Sequence, residues 1–208
     1  MIGSAAILGS AERERIAAAI GRAEAGTSGE IMVLVAASAG LYRSPSLALA
    51  LALGLAAPWP LILFTDLGAG EIALAQAALV LGSLLLTLNR TLRVALTPRR
   101  WRHARAHDAA RREFFAHGLT GTRGHTGVLI YVALAERYAE IVADKGVRTR
   151  IEDERWHAIV ADLLGAAGRG ALGEGLIAAV DRVGAVLAAA LPGRRGDNQL
   201  PNRVIVID

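Results

Sequence analysis

Two stretches of this chain are too long and too apolar to sit on the surface of a soluble protein. Leu47–Phe64 (LALALALGLAAPWPLILF) runs for 18 residues and Ile72–Leu88 (IALAQAALVLGSLLLTL) for 17, and neither holds an ionisable side chain. At ~1.5 Å per helical residue each run spans roughly 26 Å, and flanking Ser, Thr and Asn carry it towards the ~30 Å hydrocarbon thickness of a bilayer. A soluble helix normally shows a polar stripe. The first run has none, and the second offers only Gln76, Ser83 and Thr87. The pair is therefore expected to cross a membrane as a hairpin closed by Thr65–Glu71, where Gly68 and Gly70 permit the turn. Pro58 and Pro60 are expected to kink or end the first helix, with Trp59 at an interface. Gly54, Ala57, Gly82 and Ser83 are small residues that would allow two such helices to approach closely.

The flanks set the expected orientation. The tip carries Asp66 and Glu71 and no base, whereas the open end carries Arg43 before the pair and Arg90, Arg93, Arg99, Arg100, Arg102 and Arg105 after it. Positive charge stays inside. The expectation is a protein of the bacterial inner membrane with two spans, and with both termini and the soluble part in the cytoplasm. MIGSAAILGS lacks the basic start and the length of apolar core of a secretory signal. The segment Arg90–Arg112 holds eight arginines against one acid, Asp108. Beside a membrane helix such a segment meets anionic headgroups, at ~1 kcal/mol per basic residue. It is read as a topology determinant and lipid contact. With few aromatics to stack on bases and no recognition motif, nucleic acid is not an expected partner.

Outside these runs the chain is a globular α/β sequence. Over its 208 residues 53% are hydrophobic, which excludes general disorder. The absence of Cys excludes disulfides, a Cys nucleophile and thiolate metal sites. Ser10 is a candidate cap for a first helix, with Ile16, Ile20 and Ala23 on one face and Gly26 as its stop. Glu30–Ala36 (EIMVLVA) reads as a buried strand. Pro98 opens a helix over Arg99–Gly118. Thr126–Leu134 and Arg137–Ala143 read as an antiparallel strand pair, and a crossover makes the first strand parallel to the second. A helix starting near Glu152 or Asp153 places Trp156, Ile159, Val160 and Leu163 on one face. A long helix carries Leu172, Leu176, Val180, Val183 and Leu187. Pro192–Asn202 is read as a mobile tail, and Val204–Ile207 as an edge strand or a fraying end. The expected layout is 1–43 as the first part of the domain, 44–89 as the hairpin, 90–191 as the remainder and 192–208 as the tail.

The segments TSGEIMVLVA, GHTGVLIYVALAERYAEIVADKGV, ERWHAIVADLL and GLIAAVDRVGAVLAAALP, in this order, resemble the TPM domain family. The helix pair after the first strand, and the ending DNQLPN, resemble its membrane-inserted bacterial branch. The resemblance implies a small α/β sandwich with a short mixed sheet flanked by helices, interrupted here by a transmembrane hairpin. It implies three kinds of activity among relatives: acid phosphatase, calcium binding and accessory service to membrane complexes.

The residues support these unequally. Glu30, Glu136, Glu140, Asp144, Glu152, Asp153 and Glu154 lie near the sheet. A calcium or magnesium site, or a divalent-metal-dependent phosphatase, needs several carboxylates converging from loops. Asp144, Glu152 and Asp153 are the candidate ligands, provided 145–151 folds back. Against this, Asp144 suits a turn and Asp153 a helix cap, and no calcium-loop motif is present. His103 and His107 have a metal-compatible helical spacing but sit among arginines, and they are read as solvated or lipid-facing. The glycine-rich 121–127 precedes a strand rather than a helix, so it is read as a flexible loop and not a phosphate cradle. The expected function is an accessory or interaction factor for a membrane protein, with a low-activity phosphatase or an anionic-lipid anchor as alternatives.

Overall fold

A computed structural model describes residues 7–40, 43–86, 94, 97–122, 124–193 and 203–207. Arg90 and Arg93, and 194–202 of the expected tail, lie outside them. The chain divides into two compact units, Met1–Ala39 with His103–Asp208, and Gly40–Arg102.

The first unit is a mixed sheet between helical layers. Its strands are β1 (Glu30–Ala36), β2 (Gly127–Ala133), β3 (Tyr138–Ala143) and β4 (Val204–Ile207), in the order β3-β2-β1-β4. β1 runs parallel to β2 and to β4, while β2 and β3 form the expected antiparallel hairpin. Val204–Ile207 is thus an edge strand. β1 and β2 are buried at every position, as continuous apolar runs covered on both faces must be.

Alternation sorts their side chains into two cores. Ile31, Val33, Val35, Val128, Ile130 and Val132 pack under α1 (Ser10–Glu24), α7 (Asp153–Gly168) and α8 (Leu172–Ala190). Met32, Leu34, Leu129 and Tyr131 pack under α5 (Arg99–Ala116), which presents Ala106, Ala109, Ala110 and Phe114 at helical spacing. Three alanines on that stripe let α5 lie close to the sheet.

Local chemistry fixes the ends. Ser10 is the first helical residue rather than the cap. Glu12 reaches back to accept the Gly9 N–H at 2.9 Å, one half of a capping box. Pro98 stands just before α5, and its carbonyl accepts from Trp101 and Arg102. After α8, Leu191 is held by Thr27, whose hydroxyl donates to the Leu191 carbonyl at 2.9 Å. Glu136, buried beyond β2, accepts from the Ser38 hydroxyl at 2.9 Å and the Ala39 N–H at 3.0 Å. It thereby fixes the loop leaving β1.

The second unit contains α2 (Arg43–Ala56), α3 (Pro58–Phe64) and α4 (Ala69–Leu86). Ala57 keeps right-handed helical dihedrals, so α2 and α3 continue one another. Pro58 has no N–H for the carbonyl four residues back, that of Gly54. The Gln76 side-chain amide of α4 donates to that carbonyl at 2.8 Å. Gly54 also permits the approach: a Cβ there would stand 2.6 Å from Val80 Cγ2. Gly82 has no such neighbour, and Ser83 donates to the Val80 carbonyl of its own helix. At the tip, the Glu71 carboxylate accepts the Gly68 N–H at 2.9 Å. Leu47–Phe64 and Ala69–Leu86 are long and apolar enough to cross a membrane, with mean hydropathies of 2.1 and 1.8.

The groove along the β3 edge

β3 borders the sheet, so one side of its backbone faces outward. A cavity of about 670 Å³ follows that border and is lined by every residue from Tyr138 to Lys145. Its other walls come from α5 (His107, Arg111, Phe115), from Arg148 and from α7 (Trp156, His157). Successive strand side chains point to opposite faces, so a cavity touching all of them lies along the edge rather than over one face.

Two imidazole–carboxylate pairs flank the groove. On the α5 side, His107 Nδ1 lies 3.0 Å from both carboxylate oxygens of Glu140, and the Tyr138 hydroxyl donates to Glu140 Oε2 at 2.8 Å. The His103 ring meets Tyr138 edge-on, with centroids 5.2 Å apart. These histidines are thus drawn onto β3 and are not merely solvated or lipid-facing. The carboxylate that recruits His107 lies 33 residues away in the sequence. Burial pushes the Tyr138 phenol well above its ordinary range, reinforced by its hydrogen bond to Glu140.

At the other end, His125 Nδ1 lies 3.1 Å from Asp144 Oδ2, while Asp144 Oδ1 accepts the Lys145 N–H at 2.7 Å. Asp144 thus caps the short helix α6 (Lys145–Arg148). The 124–127 segment, expected to be a flexible loop, is stitched to this corner. The Asp144 N–H donates to the Gly127 carbonyl at 2.9 Å, and that of Gly146 to the His125 carbonyl at 3.0 Å. Gly124 and His125 take left-handed dihedrals, φ 79° and 55°. Gly146 packs so closely on the carbonyls of Gly124 and His125 that a Cβ would collide with backbone. Sequence reasoning missed His125. Its only local signal is the run of turn-forming glycines around it.

The candidate metal ligands fall in neighbouring places. Asp144 and Asp153 both line the β3 groove, and Glu152 and Asp153 line a second cavity, of about 560 Å³, beside Lys145 and Arg148. Glu152 stands at the cap position of α7 without a side-chain cap bond, and Asp153 and Glu154 occupy its first turn. Among the described residues, no three His, Asp or Glu side chains gather as a metal-ligating group. Of the other candidate carboxylates, Glu30 and Glu136 are buried and Glu140 is taken up as above. Arg99 and Arg100 are exposed, and Arg102 and Arg105 half-buried.

Comparison with known proteins agrees with this architecture. No curated protein matches the chain. The solved NMR structure of the BA42 protein from the psychrophilic bacterium Bizionia argentinensis is similar in fold. It is 20% identical, with a TM-score of 0.59 over 96% of this chain and 94% of that one. The TPM domain model matches residues 86–186, a span holding α5, β2, β3, α7 and most of α8. This match and the mixed sheet under flanking helices show a TPM domain over residues 86–186.

Proposed function

We propose that this is a TPM-domain protein anchored in the bacterial inner membrane by α2–α4, whose soluble unit serves membrane proteins as an interaction or accessory factor. The carrying observation is the surface of the second unit. Leu51, Leu55, Trp59, Leu63, Phe64 and Leu74 each expose 65% or more of their area. A helix apolar all round belongs in the core of a large protein or in lipid, and only 11% and 0% of the two apolar windows is buried within the chain. Lipid supplies the missing cover. A bilayer also offers no hydrogen bonds to the carbonyl freed by Pro58, and Gln76 answers that need internally.

An interaction role is favoured over catalysis by the state of the groove. Glu140 is held by His107 and Tyr138, and Asp144 by His125 and the Lys145 N–H, so each carboxylate serves to fix an element of the groove wall.

The chain contains no Cys, so single cysteines report its topology directly. In spheroplasts, Gly68→Cys should react with an impermeant maleimide from outside, and Arg100→Cys only after permeabilisation. Release of the protein by alkaline carbonate would overturn the anchoring. A photo-crosslinking residue at Phe115 should capture a membrane protein. No adduct, together with metal-dependent phosphate release lost in Asp144→Asn, would replace this reading with the phosphatase.

A further inference from the structure

We propose that the β3 groove is a strand-addition site, which takes an extended acidic peptide segment of a partner protein as a fifth strand. This rests on the interaction reading and names the chemistry of the partner.

The backbone supplies the first argument. The Asp144 N–H donates to the Gly127 carbonyl, and the register pairs Val142 with Leu129 and Glu140 with Tyr131. In an antiparallel ladder inward-facing donors recur at every second residue. The N–H groups of Glu140 and Val142 therefore face β2, and those of Ala139, Ile141 and Ala143 face the groove. An extended peptide is the ligand that matches a row of such groups.

Charge supplies the second. Arg111, Lys145 and Arg148 are exposed on the groove wall, and none of them is in an ion pair among the described residues. Two acids of the same wall are held in place, Glu140 by His107 and Tyr138 and Asp144 by His125, and a third, Asp153, is exposed. The groove thus presents three cations outside any ion pair among the described residues against one such acid. An edge strand bearing charge is ordinarily defended against pairing. Here the one charge within β3, Glu140, is drawn aside onto α5, which leaves the edge open to a partner of opposite sign. A second copy of this chain pairing β3 to β3 would bring like cations together and is disfavoured.

Side chains supply the third. Phe115 is 58% exposed at the rim, and Trp156 lines the wall with its buried indole Nε1 lacking an acceptor among the described residues. Alternate side chains of an added strand point to opposite faces, so one set meets Arg111 and Phe115 of α5 and the other meets Trp156 of α7, with Lys145 and Arg148 following the end of β3.

The test uses the full chain in nanodiscs of zwitterionic lipid and a fluorescent peptide of about eight residues repeating Thr-Thr-Glu-Glu, which sets acids on both faces over the span of an ordinary strand. Saturable binding is expected, weakening with salt. Hydrogen exchange should slow at Ala139, Ile141 and Ala143. Combined Arg111→Glu and Arg148→Glu should weaken binding at least tenfold. Ala143→Pro, which removes one outward N–H and leaves the β2 ladder intact, should weaken it comparably. A Thr-Lys peptide, and a Thr-Glu peptide interrupted by prolines, should not bind.

Absence of binding overturns the proposal. So does equal binding of the proline-interrupted peptide, which would mean charge attraction alone and is read without any variant needing to fold. Exchange protection of β3 that rises with protein concentration and without peptide would assign the edge to a second copy. The Phe115 crosslink separates the two readings. An adduct undiminished in the Arg111→Glu, Arg148→Glu chain sinks strand addition and leaves the interaction role standing, whereas no adduct in any chain sinks both.

Discussion

Glu136 shows how much one buried side chain holds. It is 1% exposed and accepts from the Ser38 hydroxyl and the Ala39 N–H. Removing the acceptor strands both donors, at a cost of ~1–3 kcal/mol. Glu136→Ala is therefore expected to lower the unfolding midpoint of the soluble unit, and Glu136→Gln, which keeps an acceptor oxygen, to lower it less. Thermal unfolding followed by circular dichroism would measure both. Tyrosines give a pH prediction. Burial raises the phenols of Tyr131 and Tyr138 above their ordinary value of about 10, helped by the charges of Glu136 and Glu113 at Tyr131 and by the bond to Glu140 at Tyr138. Above pH ~10 the unfolded chain releases these protons while the folded chain keeps them. Their contribution to stability is thus complete below that pH and lost as pH rises past it. Ultraviolet titration should show both ionising only as the protein unfolds, and Tyr138→Phe should blunt the alkaline loss of stability.

At the scale of elements, the apolar helix pair and the buried strands are legible because period and composition are local properties. Eighteen residues without a charge, or the β-branched run of β1, declare themselves without knowledge of their neighbours. The pairings that specialise these elements are not local. Gln76 meets Gly54 across 22 residues, and His125 meets Asp144 across 19. Pro58 was expected to kink or end its helix, whereas α2 and α3 continue one another across it, and the answer to its missing N–H on the opposite helix was not legible. That answer predicts a coupling. Gln76→Leu should destabilise the helix pair by ~1–2 kcal/mol, the upper range for an interhelical hydrogen bond in a membrane. In a Pro58→Ala background the restored N–H satisfies the Gly54 carbonyl, so the same substitution should cost markedly less. A double-mutant cycle on unfolding in micelles reads the difference directly.

For the whole molecule, the exposed leucines and aromatics of α2–α4 imply that water alone is a poor solvent. The chain should self-associate in detergent-free buffer and become monodisperse in micelles, as light scattering behind size exclusion would show. The family likeness was legible across the soluble part because the order of helices and strands is written in sequence. The groove was not, because it is assembled from α5, β3, α6 and α7. The parallel pairing of β1 with β2 has a consequence in time. β1 ends at Ala36 and its neighbour begins at Gly127, so during synthesis β1 leaves the ribosome roughly 5–20 s before the strand that covers it, at ~5–20 residues per second. If α2–α4 enter the bilayer as proposed, they do so while EIMVLVA is still unpaired. A nascent chain in that state exposes a sticky apolar strand at the membrane surface, which makes it a client for chaperones and sensitive to any slowing of translation between the two strands.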